Sequence, residues 1–206
     1  MTTRRTPTAR AAVATTSVLA AALLLGAACT SSAPGPRAAS PASAASASAS
    51  ASTPPPRKLS APTTLLGLPK TTSRALYGAA VQQLEQLKRE VGQPTSAIGE
   101  AYEDGSPDGD IVFVSGASGT IADPVAVLDR ALRPYRITKA AAVDAGALGG
   151  EARCGRGRTE DGGYLTSCGW ADGETVGVVS FASSKPQADH TADFLAVRDV
   201  VSRPVG

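Results

Sequence analysis

Tyr164-Leu165-Thr166-Ser167-Cys168-Gly169-Trp170-Ala171-Asp172-Gly173-Glu174-Thr175-Val176-Gly177-Val178-Val179-Ser180-Phe181-Ala182 is the stretch that decides the architecture. Two runs rich in β-branched and aromatic residues, Tyr164 to Ala171 and Thr175 to Ala182, flank a turn-forming Asp-Gly pair, which predicts two adjacent strands. Side chains alternate along a strand, so Tyr164, Thr166, Cys168 and Trp170 project from one face. Just upstream, Glu151 to Arg156 predicts another strand, and Glu160-Asp161-Gly162 reads as a three-residue hairpin loop with Gly162 in the left-handed position. That register sets Cys154 directly opposite Cys168, where a disulfide is geometrically reasonable. The bridge closes a loop of about 15 residues and contributes roughly 3 kcal/mol through the entropy of the unfolded chain. A redox role is the alternative, but the spacing is far from C-x-x-C.

Working outward, Trp170 is the single tryptophan of the chain. It is expected to cover the disulfide and part of the core, with ligand stacking as its alternative role. Arg153, Arg156 and Arg158 lie beside Cys154 and next to Glu160 and Asp161. The plainer reading is a solvated hairpin tip, and the functional one a contact for an anionic envelope partner. Trp170 and these three arginines are the candidate binding surface.

The hairpin has an echo. Tyr102-Glu103-Asp104-Gly105 followed by Phe113-Val114-Ser115-Gly116-Ala117-Ser118 resembles Trp170-Ala171-Asp172-Gly173 followed by Val178-Val179-Ser180-Phe181-Ala182-Ser183. Each copy precedes a helical pattern. One helix is predicted from Asp123-Pro124, with Asp as cap and Pro in the first turn, to just before Pro134. Another is predicted from the capping-box pattern Ser184-Lys185-Pro186-Gln187, with Phe194, Val197 and Val201 on one side. A first helix from about Ser73 to Val91 carries Leu76, Ala80, Leu84, Leu87 and Val91 as an apolar stripe, and Glu85 is spaced to pair with Arg89. Further strands are predicted at about Ala97 to Glu103, Ile111 to Ser115 and Ala140 to Asp144. The expected fold is α+β: an antiparallel sheet with helices packed on one face, built around a duplicated hairpin-helix unit.

The amino-terminal portion has a different character. Arg4, Arg5 and Arg10 precede an uncharged, Ala- and Leu-rich stretch from Ala11 to Ala28, the layout of a secretory signal. Small residues before Cys29, and Thr30-Ser31-Ser32 after it, resemble a bacterial lipobox, although Gly26 stands where Leu, Val or Ile is usual. Lipidation of Cys29 is the leading expectation; an uncleaved single-pass anchor and ordinary secretion are the alternatives. The chain has three cysteines, so acylating Cys29 leaves Cys154 and Cys168 to pair in an oxidising compartment. From Thr30 to about Pro62 the composition is almost wholly Ala, Ser, Pro and Thr and cannot bury a core, so a tether is expected there. The predicted organisation is a signal peptide at 1–28, an anchored linker at 29–62 and an extracytoplasmic domain at 63–206.

Of 20 basic residues three precede Cys29, which leaves 17 against 18 acids. This balance argues against nucleic acid as a partner. Several motif-like stretches also lose on inspection. Ile111 to Ala122 looks like the strand and glycine turn of a short-chain dehydrogenase, and Tyr135 and Lys139 supply Y-x-x-x-K. However, Ala122 replaces the third glycine and Asp123 sets a negative charge where phosphates would bind, so neither nucleotide nor other cofactor is expected. Gly116 to Thr120 misses G-x-S-x-G, and His190, the single histidine, would have to reach Ser118 across the fold. Asp104, Asp108 and Asp110 depart from calcium-loop spacing and read first as a turn, so no metal is expected.

Cys154, with Cys168-Gly169-Trp170-Ala171-Asp172 and Thr175-Val176-Gly177-Val178-Val179, resembles a group of uncharacterised exported actinobacterial lipoproteins or single-pass membrane proteins. Their extracytoplasmic domains carry C…C-x-W-A-D followed by a T/S-x-G strand. The likeness covers about the last hundred residues, including the helix start at Ile121-Ala122-Asp123-Pro124. It implies location on the outer face of the cell membrane and a shared fold, and no activity. The functional expectation is a membrane-anchored, non-enzymatic domain that binds an envelope protein, cell-wall component or membrane partner. A small enzyme acting on envelope material and a sensor for a membrane signalling protein are the alternatives.

Overall fold

A computed structural model describes residues 56–204 of the chain. In chain order the elements are β1 (Arg57–Leu59), β2 (Thr64–Leu65), β3 (Leu68–Pro69), α1 (Arg74–Lys88), β4 (Gly92–Tyr102), β5 (Ile111–Thr120) and α2 (Pro124–Leu132). They continue with a 3-10 turn (Arg133–Tyr135), β6 (Thr138–Ala142), a second 3-10 turn (Gly146–Leu148), β7 (Glu151–Arg158), β8 (Tyr164–Ala171), β9 (Thr175–Ser183), α3 (Thr191–Val201) and β10 (Ser202–Pro204). Strands β4 to β9 form one antiparallel sheet in the order β4-β5-β9-β8-β7-β6. The α+β class and antiparallel sheet are those expected. Among the described residues no helix is long and apolar enough to cross a membrane; Cys29 and the signal segment lie outside them.

Local chemistry sets the helix ends. The Ser73 hydroxyl caps α1 by accepting from the Leu76 amide, and Asp123 caps α2 by accepting from the Ala126 amide at 3.0 Å. Helix α1 stops at Lys88, short of the predicted Val91, as Arg89 and Glu90 tighten into three-residue turns onto Gln86 and Leu87. Glu85 then pairs with Lys88 in place of Arg89. The start of α3 is a clear departure: the helix begins at Thr191, and 184–190 run as a loop. The capping box is not used because Gln187 turns its carbonyl toward the Thr166 hydroxyl at 2.8 Å, and the turn is held instead by Ser183, which accepts from the Lys185 amide.

The sheet is covered on both sides. Leu87 of α1 and Val127, Leu128, Ala131 and Leu132 of α2 pack on Ala117, Ala171, Val176 and Val178. Phe194, Val197 and Val201 of α3 pack against Val112, Val114, Cys168, Trp170, Val179 and Phe181, which point the opposite way along the same strands. Two helices therefore share a face as expected, while α3 lies on the other, the loop at 184–190 giving the chain length to cross over. The echo between the hairpins has a structural counterpart. Val114 and Val179, equivalent in the two copies, are direct partners at the β5–β9 seam, so an approximate two-fold axis passes between them. It relates the hairpins and stops at the helices.

The amino-terminal boundary also moves. Arg57–Leu59 pairs with Ser202–Pro204, and Leu59 is buried against Gly116. The folded unit thus includes Arg57–Leu59, upstream of the expected residue 63, and Leu59, inside an Ala/Ser/Pro-rich run, is the apolar signal for it. Strand β5 likewise continues beyond Ser115 through the glycines to Thr120. At Gly119 an added Cβ would fall 2.5 Å from the Gly92 carbonyl, so glycine serves close strand approach there, where a phosphate-binding loop would have turned the chain.

Candidate functional site

The residues around Trp170 form a buried latch. Trp170 is fully buried; its indole N–H donates to the Thr175 hydroxyl at 3.1 Å, and that hydroxyl donates to Asp172 Oδ2 at 2.8 Å. Asp172 Oδ1 accepts from the Glu174 and Thr175 amides at 2.9 and 2.8 Å, which closes the turn. Two cations meet Oδ2, Arg57 at 2.8 Å and the fully buried Arg198 at 3.1 Å. Arg198 also donates to the carbonyls of Ala145 and Gly149. Burial pushes its pKa below the usual arginine range, and the Asp172 carboxylate works against that shift. Because Trp170 has no exposed surface, the candidate binding surface that included it is corrected: the indole is part of the frame.

The disulfide lies where the register puts it. Cys154 and Cys168 are direct partners between β7 and β8 and are bonded. The loop is closed by the Thr159 amide donating to the Gly163 carbonyl, with Gly162 at φ +90°. The three arginines do not converge. Arg153 points to the α2 side and pairs with Asp129, whereas Arg156 points to the α3 side and reaches the Ala188 carbonyl at 3.4 Å. Arg158 lies over the Tyr164 ring at 3.9 Å and donates to the Gly162 carbonyl. Alternation along β7 sets Arg153 apart, while Arg156 and Arg158, two positions from each other, share a face and line one depression.

The other stretches resolve as scaffold. His190 stands at the amino end of α3, stacks on Phe181 with ring centroids 4.2 Å apart, and bonds Asp193 at 2.8 Å. Phe181 is opposite Val112, six positions along β5 from Ser118, a distance on the order of 20 Å. Ser118 is buried and bonded to Ser96 and Thr95. Asp104 accepts from the amide and hydroxyl of Ser106 as a tight turn, and these bonds hold its carboxyl below the usual range. Among the described residues no cluster of three or more His, Cys, Asp or Glu side chains is placed to hold a metal ion.

The strongest site was not singled out from sequence. A cavity of about 280 Å³ opens between α1, the turn at Pro134-Tyr135 and the α1/α2 side of the sheet. Its floor is Phe113, Ser115, Ser180, Ala182 and Leu165, and its walls include Gln83, Gln86 and Tyr135. The Ser115 hydroxyl donates to the Ala80 carbonyl at 2.8 Å, and Ser180 bonds Ser167 at 2.9 Å. Burial pushes the Tyr135 hydroxyl well above its ordinary range, with the nearby Ser180 hydroxyl pulling more weakly the other way, so it stays protonated. The Gln83 amide nitrogen is buried with no partner, a donor left open. Three wider depressions adjoin this cleft. One shares Phe113, Thr159 and Ala182 with it, a second shares Pro134, Tyr135, Thr159 and Leu165, and a third shares Gln86 and Pro134. The signal available in the sequence was the pair Ser115 and Ser180, the equivalent serines of the two hairpins, together with Gln82, Gln83 and Gln86 on α1.

No family model, curated protein or solved structure matches this chain, so the site rests on its own geometry.

Proposed function

We propose that this chain is an extracytoplasmic domain held to the outer face of a membrane through Cys29, related to the exported actinobacterial proteins that share its C-x-W-A-D motif, and that it works by binding an envelope component in the cleft between α1 and Tyr135. The observation that carries this is the opposition of the cleft to the point where the chain enters the fold. Leu59 enters on the α3 side, against Gly116 and beside Ser96. The cleft lies on the α1/α2 side and toward the other ends of the strands, at Phe113, Ala182 and Leu165. In a domain anchored upstream of Arg57 the cleft therefore lies on the face opposite the point where the chain enters, clear of the tether's attachment.

Binding is favoured over catalysis by what lines the cleft. Hydroxyls and carboxamides recognise ligands by hydrogen bonding, and the one titratable group among the described lining residues, Tyr135, is held in its neutral form. The test is a photo-crosslinking residue placed at Gln86, on the cleft wall, compared with one at Val200, exposed on α3. Capture of an envelope component from position 86 and not from 200 is expected in intact cells. Equal capture from both, or none from 86, overturns the assignment. Intact mass of the mature protein reads the acyl groups on Cys29 directly; a chain recovered from the cytoplasm with free Cys154 and Cys168 thiols overturns the location.

A further inference from the structure

Resting on that reading of the cleft, we infer that its ligand is an uncharged sugar unit, with ring hydroxyls bonded to Gln83 and Tyr135 and a C–H face laid on Phe113. Charge is the first discriminator. Among the described residues no charged side chain lines the 280 Å³ cavity; charges begin only in the adjoining depressions, with Asp161 in one, Arg136, Arg156, Arg158 and Glu160 in the second, and Arg89, Glu90, Arg130 and Arg133 in the third. An ionised ligand group would give up its hydration for neutral dipoles that cannot balance it.

Hydrogen-bonding capacity is the second discriminator. Gln82, Gln83, Gln86, Tyr135 and Ser180 all carry groups able to donate, and most can also accept. Ser115 has committed its proton to Ala80 and faces the cleft as an acceptor. Sugar hydroxyls have the same dual capacity, whereas an apolar ligand would leave the buried Gln83 amide nitrogen unpartnered. Half-buried Phe113, with Leu165 and Ala182, supplies an apolar patch that a fully solvated polar ligand would not use. The volume is at the small end for ligand sites and suits one ring. The adjoining depressions, which share lining residues with the cleft, leave room for further units of a chain.

The experiment is saturation-transfer NMR on the full-length chain in a detergent without a sugar headgroup. The probes are methyl glucoside, methyl N-acetylglucosaminide, methyl glucuronide and an uncharged dipeptide amide. One or both neutral glycosides are expected to bind, with the glucuronide at least tenfold weaker. Ala79→Trp, which fills the cleft from its exposed rim, is expected to abolish the signal. Gln83→Leu is expected to weaken it tenfold or more, and this second variant keeps the test decisive if the first disturbs the helix. Retention on a neutral polysaccharide with no binding of the free glycosides assigns the sugar to an envelope polymer; binding of the free glycosides assigns it to a soluble source as well. Equal binding of the glucuronide, binding of the dipeptide amide in place of the sugars, or persistence of the signal in Gln83→Leu overturns the inference. If the sugars fail while position 86 still captures a component in cells, only the ligand class falls; if position 86 is silent too, the cleft itself is the wrong site.

Discussion

Replacing Asp172 by Asn tests whether the Trp170 corner is held together by charge. The carboxylate is the common acceptor for two backbone amides, the Thr175 hydroxyl and two arginines. Asn keeps the shape and one acceptor oxygen but removes the counter-charge of Arg198, which is fully buried and whose Nε already lacks a partner. Stripping one member from a buried ion pair costs about 3–5 kcal/mol, chiefly because the other charge stays desolvated. Arg57 is less affected, since it is partly exposed and has Glu174 at 3.7 Å. The expected loss is therefore at the lower end, about 3 kcal/mol, out of a total on the order of 5–15 kcal/mol. Asp172→Ala also strands the two amides, at about 1–3 kcal/mol each, and is expected to leave the domain largely unfolded. The assay is urea unfolding of the oxidised chain, followed by the fluorescence of its single tryptophan, with a lowered midpoint at unchanged slope. Arg198→Met, made alone and in the Asp172→Asn background, completes a double-mutant cycle with an expected coupling of about 2 kcal/mol or more. A loss below about 1 kcal/mol for Asp172→Asn, or additive effects in the cycle, refutes the claim that charge holds this corner.

A Cβ at Gly177 would lie 2.1 Å from the Trp170 ring, so Gly177→Ala is expected to cost about 3 kcal/mol or more, read as a lower urea midpoint. At Gly116 a Cβ would lie 2.8 Å from the tip of Leu59 and 3.1 Å from the Val176 carbonyl, so Gly116→Ala is expected to cost less than Gly177→Ala, about 1–2 kcal/mol in the same measurement. Removing the Cys154–Cys168 bridge, which spans 14 positions, is expected to lose roughly 3 kcal/mol, seen by comparing Cys154→Ala/Cys168→Ala with the oxidised parent. Leu59→Ala, in a segment that composition assigns to the tether, is expected to cost about 2–5 kcal/mol because the side chain is buried; an unchanged midpoint would return the domain boundary to residue 63. Burial of the Tyr102 hydroxyl, and secondarily the charge on Glu100, raises its pKa from 10.0 to about 12. The folded state holds this proton more tightly than the unfolded one, so the stability it contributes is complete below pH 10 and is lost as pH rises toward 12. Tyr102→Phe is expected to flatten that alkaline limb by on the order of 2 kcal/mol in urea midpoints taken across the window.

What the sequence disclosed and what it hid follow from the range of the interactions involved. Hairpin register is short-range chemistry, and Gly162 with its flanking strands was enough to set Cys154 against Cys168. The Asp123-Pro124 cap is equally local. The start of α3 departs from the sequence pattern because the capping signal of Ser184 to Gln187 loses to a contact 21 positions away, Gln187 with Thr166. Of the three arginines that adjacency groups, Arg153 faces α2 while Arg156 and Arg158 share the other face, a split that strand alternation dictates. Leu59 was lost because three residues make too short a run to show a period, and only pairing with Ser202–Pro204 at the far end of the chain defines them as a strand.

The latch also explains why the pattern of Cys168, Trp170, Asp172 and Thr175 speaks to fold and is silent on chemistry. Every one of those side chains is spent internally, on the disulfide, the indole hydrogen bond or the buried charges. None lines the cleft, whose walls come from α1, the Pro134-Tyr135 turn and residues of β5, β8 and β9 that point the other way. Chains built on the same latch are therefore expected to keep the corner while their cleft linings differ. Gln83, Phe113 and Tyr135 are the positions at which to compare them. If chains carrying a C-x-W-A-D corner also had the same three residues where their surrounding helices differed, the cleft would be as much a part of the design as the latch. If charged or bulky side chains filled it, ligand binding there would be a property of this chain alone.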